Sequence, residues 1–473
     1  FGSSSKLCAL FVCGHLRNIG PGLCRMDGCT ESLLFDGGPS LMRRLEAVWR
    51  AKSVKPDLPA EGSCPDGSAG PERTALEALG YEFRALNDRT LLQYSPGRGG
   101  KRVLNMPLTQ VSLPRIRERD GENGVRELKE DWSFLHIREP RKELLLQWAS
   151  GGAIVLEFLE PSAPKSTTSD DVVTLSASSL KVLINLHPVG PLHALLVPPG
   201  KRRQLLTRDS LFLALLFCAV QQEHGESDRR RFKLTFNGMG AGASVNHQHW
   251  QIHGWPWSVG WSEVGKECLS RQHVTGVDEI CADVLREVDA ASQEELGENG
   301  ECIKGVSCGP SVTTDAGADE DVTVDVLRPP AGQWPLRSMF EFRVGRGLAT
   351  SASDRGPRSR ERRLREVAVL AHHVHGRIVH PLHEANITHN MCVYTHPTEG
   401  DLRVTVMARD FYCPQSEDAS AIGVSALELQ GHWIVPSKGD FDETLSEEYI
   451  SSLLSKLAIP DQQLEEMWGF KLT

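Results

Sequence analysis

Phe236-Asn237-Gly238-Met239-Gly240-Ala241-Gly242-Ala243-Ser244-Val245-Asn246-His247-Gln248-His249-Trp250-Gln251-Ile252-His253 sets a glycine-rich loop directly before a run of alternating histidines. Residues 246–254 read as a strand, whose side chains alternate between two faces. His247, His249, Gln251 and His253 then share one face, and Gln248, Trp250 and Ile252 share the other, which packs partly on a core. Four hydrogen-bonding side chains on one face rarely serve packing alone. Ahead of them, Gly238, Gly240 and Gly242 let the backbone approach a ligand and turn its N–H groups inward, a nest for phosphate. Ser244 adds a hydroxyl, and Asn237 an amide able to bind a ribose or phosphate oxygen.

These parts suit phosphoryl or nucleotidyl transfer. An imidazole offers a nucleophilic nitrogen near neutral pH, and the donors can hold the equatorial oxygens of the transition state. Two other readings stay open. His-x-His on a strand can bind zinc with a third ligand, and buried histidines can simply be satisfied core residues.

Outward from this stretch, strand-like segments occupy 80–87, 142–148, 153–158, 181–186, 192–198 and 231–237. Thr207 is placed to cap a helix carrying Leu211, Leu215, Leu216 and Phe217. Residues 35–49 repeat apolar positions at helical spacing, and 53–73 read as a loop rich in Pro, Gly and Ser. The densely charged 115–131 predicts a solvated insertion, and 285–333, poor in aromatics, a flexible excursion. Arg355–Arg365 leads into a helix running to about Arg377, with His372, His373 and His375 expected on its surface. Residues 445–470 read as one or two surface helices.

The chain has 473 residues, with 40% hydrophobic and 24% charged, enough to bury a sizeable core in two domains or a duplicated fold. Its formal charge of −10 argues against a general nucleic-acid binder. Any phosphate must be gathered by local groups. No apolar run reaches the roughly 18 residues of a membrane span, and a cytoplasmic protein without nucleic-acid or membrane partners is expected. Residues 1–30 read as a peripheral leader. Cys8, Cys13, Cys24 and Cys29 there make two C-x4-C pairs, wider than usual structural zinc spacing, and read as free thiols.

The run Ser244-Val245-Asn246-His247-Gln248-His249-Trp250-Gln251 resembles the Ser-x-x-His-x-His-x-His/Gln signature of the histidine-triad superfamily, with the Gln of its nucleotidyltransferase branch. Five further segments resemble, in order, the GDP-hexose phosphorylases, which act on GDP-D-glucose or GDP-L-galactose. They are Gly80–Arg89, Ile184–Pro198, Trp334–Ser338, Asn386–Asn390 and Glu428–His432. Leu192 stands where that family has Gly before the strand-pair histidine.

The resemblance implies an α+β fold of histidine-triad-like antiparallel sheets with helices, in two related halves. The catalytic half is expected at 30–259, an insertion or linker at 260–330, and the second half at 330–473. It implies conversion of GDP-D-glucose and inorganic phosphate to GDP and glucose 1-phosphate through a guanylyl-histidine on His249, with GDP-L-galactose as the alternative substrate. His247 and Gln251 would assist. Asn237, Gly240, Gly242, Ser244, Asn185, His193 and Arg337 would contact substrate or phosphate. No metal or other cofactor is expected in the chemical step. The rivals are a zinc-dependent hydrolase using His247 and His249 as ligands, and a non-catalytic nucleotide-binding module.

Overall fold

In a computed structural model, residues 81–87, 90–95, 117–120, 124–127, 144–149, 155–158, 180–185, 188–190, 192–199, 202–222, 232–254, 267–293, 322–328, 336–344, 357–396, 399, 401–410 and 423–472 are described. The expected leader, the 35–49 helix and the 53–73 loop lie outside them. In chain order the first strands are β1 (Glu82–Ala85), β2 (Leu91–Tyr94), β3 (Arg117–Asp120), β4 (Gly124–Glu127), β5 (Leu144–Ala149) and β6 (Val155–Phe158). Next come β7 (Leu180–Ile184), β8 (Ala194–Val197), α1 (Arg208–Gln222), β9 (Lys233–Asn237) and β10 (Trp250–His253). The chain continues with β11 (Glu267–Val274), α2 (Val277–Gln293), β12 (Val322–Arg328), β13 (Met339–Val344) and α3 (Pro357–Val374). A π-helical turn at His375–Val379 joins α3 to α4 (His380–Glu384), followed by β14 (Thr388–Thr395) and β15 (Leu402–Arg409). The last elements are α5 (Ala426–Leu429), β16 (His432–Val435), α6 (Glu447–Leu457) and α7 (Asp461–Trp468).

Eleven strands form one sheet in the order β11-β12-β13-β15-β14-β9-β10-β8-β7-β5-β6. Every neighbouring pair is antiparallel. The order contains a repeat. From one side, with β6 at the edge, β5, β7 and β8 lie side by side, α1 follows, and the next two strands enter as β10 then β9. From the other side, β11-β12-β13 form a meander, α3 follows, and the next two enter as β15 then β14. The halves meet where β9 pairs with β14. Two related halves are therefore visible in the topology itself.

This repeat corrects the expected boundary. Glu267–Val274, Val277–Gln293 and Val322–Arg328, which the sequence reading assigned to an insertion, supply the first two strands and a helix of the second half. The low-aromatic composition that suggested a linker belongs largely to 294–321, outside the described residues. Val322, Val324 and Val326 are buried at alternate positions, a strand period hidden at the edge of a polar stretch. The charged 115–131 region holds the two-stranded hairpin β3–β4.

One face of the sheet carries α1, α2 and α3, packed on Leu196, Leu234, Phe236, Trp250, Ile252, Met391, Val393, Val404 and Phe342. On the second half's opposite face, Met339, Cys392, Tyr394 and Met407 pack against Leu92, Leu429, Trp433 and Val435. These come from α5 and the small sheet β1-β2-β16, in which β16 runs parallel to β2. No helix among the described residues is long and apolar enough to cross a membrane.

The α3 histidines differ from expectation. His373 is only 5% exposed, because its position on α3 faces the helix–sheet interior. His372 is half-buried and shares a hydrogen bond with Arg208 Nη1 at 2.9 Å. Burial, then the Arg377 guanidinium and His372, hold the His373 pKa at about 4, against the usual 6.5. Above pH 6.5 the group is neutral whether folded or not. Below that, the unfolded chain takes up a proton that the folded chain refuses until about pH 4. Stability therefore falls as pH drops from 6.5 toward 4, by up to about 1.4 kcal/mol per pH unit for this group. Urea unfolding of His373→Leu at several pH values in this window should show a flatter acid limb than the parent. An unchanged slope would mean that His373 takes its proton in the folded state.

Candidate active site

The alternation expected over 246–254 holds in direction, but the regular ladder begins only at Trp250. On the helix side, Trp250 Nε1 donates to Ser210 Oγ at 2.9 Å. Gln248 donates its amide to Leu205 O and Thr207 Oγ1. Thr207 thus spends its hydroxyl on Gln248 and Arg202. His247 and His249 precede the strand, and are 2% and 5% exposed.

His249 Nδ1 lies 2.8 Å from the backbone oxygen of His247. A carbonyl can only accept, so Nδ1 carries the hydrogen and Nε2 presents its lone pair. The residue between them turns the other way, and the two-residue step makes this contact possible. His249 N–H is held in turn by Gln204 Oε1 at 2.9 Å.

The glycine loop is shaped by the second half of the molecule. Thr388 Oγ1 donates to Met239 O at 2.6 Å, and Asn390 Nδ2 donates to Ala241 O at 2.7 Å. A trans peptide points its N–H opposite its C=O. Pinning these two carbonyls toward β14 therefore turns the N–H groups of Gly240 and Gly242 away from it. Both glycines have positive φ, 76° and 95°. Ser244 follows on the loop and is exposed.

Two glycines have a role beyond ligand approach. A Cβ on Gly238 would lie 2.6 Å from His389 O, and one on Gly242 would lie 3.0 Å from Ser425 Cβ. These positions must be bare so that the loop can lie against β14 and the start of α5. Asn237 closes the same junction. Its Oδ1 accepts Asn390 Nδ2 at 2.8 Å and Ala426 N–H at 2.9 Å. Its side-chain oxygen is thus structural, which leaves the amide hydrogens as what it can offer a ligand. The α5 turn that delivers Ala426 N–H is set by a capping box between Ser425 and Glu428. Arg409 fixes it further by donating to Val424 O at 2.6 Å.

Asn185 and His193 lie elsewhere. They bond to each other at 2.9 Å beside the β7–β8 turn. Val189 N–H donates to His193 Nδ1 at 2.9 Å, so Nε2 bears the ring hydrogen and calls for the amide oxygen of Asn185 on the facing side. Leu192, in the place of the family's Gly, takes φ 56°. Room for its side chain comes from Gly254, where a Cβ would lie 2.6 Å from Leu192 Cβ. His193 packs against His253 in a tilted arrangement, with ring centroids 4.6 Å apart. His253 ends β10, four residues beyond His249, which precedes that strand. The pair packs together at the far end of β10. Gln251 lies between them, half-buried, in register with Thr235. Arg337 is exposed beside β13, three strands from β9, and no described contact ties it to the loop.

Behind the loop, His389 stacks on Phe236 and is buried with neither ring nitrogen hydrogen-bonded. Burial, then His383 and His375, push its pKa well below the usual value. Its backbone oxygen accepts Gly238 N–H at 3.1 Å. Among the described residues, no three His, Cys, Asp or Glu side chains converge as metal ligands.

The second half offers a comparison. Residues 238–249 connect β9 to β10, whereas only 396–401 connect the corresponding β14 and β15. There, buried Arg403 donates to Glu341 Oε1 at 2.8 Å, and Tyr394 bonds the same carboxylate. Burial works against the Arg403 charge, yet Glu341, Tyr394, Asp401 and Glu399 hold its pKa above the usual range.

Gln204, Thr388 and Asn390 are the residues that the sequence reading did not assign. Thr388 and Asn390 fell within a motif already noticed, and their polarity at alternating positions was the usable signal. Gln204 sits in Lys201-Arg202-Arg203-Gln204, where nothing distinguishes it from a solvated loop residue.

Among known proteins, residues 147–253 match the GDPGP1-like N-terminal domain and residues 361–470 the GDPGP1-like C-terminal domain. No curated protein matches the chain. Among solved structures, yeast Ap4A phosphorylase Apa2 in complex with Ap4A is 16% identical, over 59% of this chain and 74% of that one, with a TM-score of 0.33. Its ligand-free structure gives 15% identity, the same coverage and a TM-score of 0.33. A likeness that loose carries nothing about ligand or reaction. The two domain matches fall one on each side of the β9–β14 junction, so the chain is similar to both the N-terminal and the C-terminal GDPGP1-like domains.

Proposed function

We propose that this protein is a GDP-hexose phosphorylase working through a guanylyl-histidine on His249. The observation that carries the reading is the Nδ1 hydrogen bond of His249 to the His247 carbonyl, which presents Nε2 as nucleophile beside a loop whose amides face away from β14. A nucleotide-phosphorylase type of activity is what the GDPGP1-like domains support. GDP-D-glucose is the proposed substrate within that type, with GDP-L-galactose as the variant to compare.

In the first step the Nε2 lone pair attacks the α-phosphorus. The bond from that phosphorus to the bridging oxygen breaks, and hexose 1-phosphate leaves with the electron pair. The imidazolium keeps its Nδ1 hydrogen on the His247 carbonyl. Inorganic phosphate then attacks the same phosphorus, giving GDP and restoring the neutral ring. The Gly240 and Gly242 amides and Ser244 hold the phosphoryl oxygens, and such donors act most strongly where charge develops. Gln251, two residues on from His249, would assist.

Incubation with GDP-glucose and no phosphate should leave a GMP adduct on His249, labile in acid and stable in base. His249→Gly should lose both adduct and turnover while remaining folded. With a chiral α-phosphorothioate substrate, two displacements give retention, and inversion would remove His249 as nucleophile. Exhaustive chelation should leave turnover intact. Its loss, with zinc bound through His247 and His249, would favour a metallohydrolase.

Thr388→Val tests the loop. It keeps side-chain shape but removes the hydroxyl bond to Met239 O, costing about 1 kcal/mol of stability. Turnover should drop about tenfold, a fraction of the hundredfold or more that losing such a donor outright costs. Unchanged turnover would mean that the Gly240 amide does not touch the transferring group.

A further inference from the structure

The β9–β10 ladder pairs Gln251 with Thr235. Two residues further, the same register would bring His249 opposite Asn237, but these two do not pair. The side-chain amide of Gln204 stands between them. Its Oε1 accepts His249 N–H at 2.9 Å, and its Nε2 donates to Asn237 O at 2.9 Å and His249 O at 3.2 Å. Its own backbone N–H donates to Asn246 Oδ1 at 3.0 Å. Gln204 is fully buried.

A primary amide carries the same donor and acceptor as a peptide. Inserted at a ladder position, it replaces the missing strand partner and holds the two strands apart by its own width. It satisfies the backbone of His249 on both sides without drawing that residue into the sheet. We propose that Gln204 is a positioning residue for nucleotidyl transfer. It is a wedge that parts β9 from β10 and sets the His249 imidazole opposite the Gly240–Gly242 loop. The inference rests on His249 being the nucleophile.

Among side chains of that reach, Gln alone makes all three of these bonds, and a protonated Glu keeps two of them, accepting from His249 N–H and donating to one carbonyl. Gln204→Glu is therefore the informative change. As a carboxylate, the new group faces the Asn237 and His249 carbonyls without a hydrogen to give. As a neutral acid, it again accepts from His249 N–H and donates to a carbonyl. Burial and the two carbonyls favour the protonated form, so recovery should set in on mild acidification.

The test measures single-turnover adduct formation from GDP-glucose, GDP-mannose and GDP-galactose without phosphate. It uses the full chain and its Gln204→Glu and Gln204→Leu variants at alkaline and mildly acidic pH. GDP affinity and the thermal midpoint are measured alongside. At alkaline pH, Gln204→Glu should label His249 about a hundredfold more slowly, the scale of misplacing a reacting group by about 1 Å. GDP affinity should stay near the parent value. On acidification its labelling rate should rise relative to the parent, whereas Gln204→Leu, which cannot donate in either form, should stay slow. A Gln204→Glu rate equal to the parent at both pH values would overturn the proposal. So would a defect of constant size that only follows loss of folded protein. If the parent forms no adduct with any of the three sugars, the reading of His249 falls and this role for Gln204 falls with it.

Discussion

Asn237 Oδ1 accepts hydrogen bonds from Asn390 and from Ala426, and through that atom the two halves share one loop. The glycine segment follows directly from Asn237, and its shape is settled by side chains of the other half. Thr388 and Asn390 take its carbonyls, His389 takes the Gly238 amide, and Ser425 leaves room only for a glycine at 242. A buried carbonyl must find a donor. Here that general requirement also orients the amides on the far side of the same peptides. The site is thus a property of the β9–β14 junction more than of the strand that bears His249.

On the proposed function, the repeat in the sheet has one reactive half and one supportive half. The place in the second half that answers to the His249 region is occupied by a short turn and a buried charge cluster of Arg403, Glu341 and Tyr394. An arginine and a glutamate that are 3% and 1% exposed are held in place by each other. They are poor candidates for an arriving ligand, since parting them would leave a buried charge alone. They brace the Tyr394 end of β14, the end away from Thr388 and Asn390.

Much of this architecture could be read from the chain. The alternation of Gln248, Trp250 and Ile252 against His247, His249 and Gln251 gave the correct inward and outward faces, because burying Trp250 and Ile252 leaves no other choice. The helix after Thr207 and the strand through Asn237 were visible for the same reason. The position at which the ladder starts was not, since it depends on Gln204, a residue far outside the local pattern. The second half's first two strands were obscured by the polar sequence between them. His193 and Asn185 were drawn toward the site by motif alone. In three dimensions they bond to each other beside the Leu192 turn, with Val189 N–H on the His193 ring. Arg337 could not be placed at all from the sequence, because its distance from β9 is a matter of strand order.

The bonds that shape the glycine loop join residues 149 to 189 positions apart in the chain. Such a site is built from contacts of very high order, and those form late in folding. During synthesis at about 5–20 residues per second, the histidine strand emerges roughly seven to thirty-five seconds before its clamp. A ribosome-bound first half therefore carries His249 without the partners that set its loop. Any fragment ending before β14 is in the same position. The chain's two halves act as a check on synthesis, since the loop lacks the partners that shape it until β14 and α5 have been made.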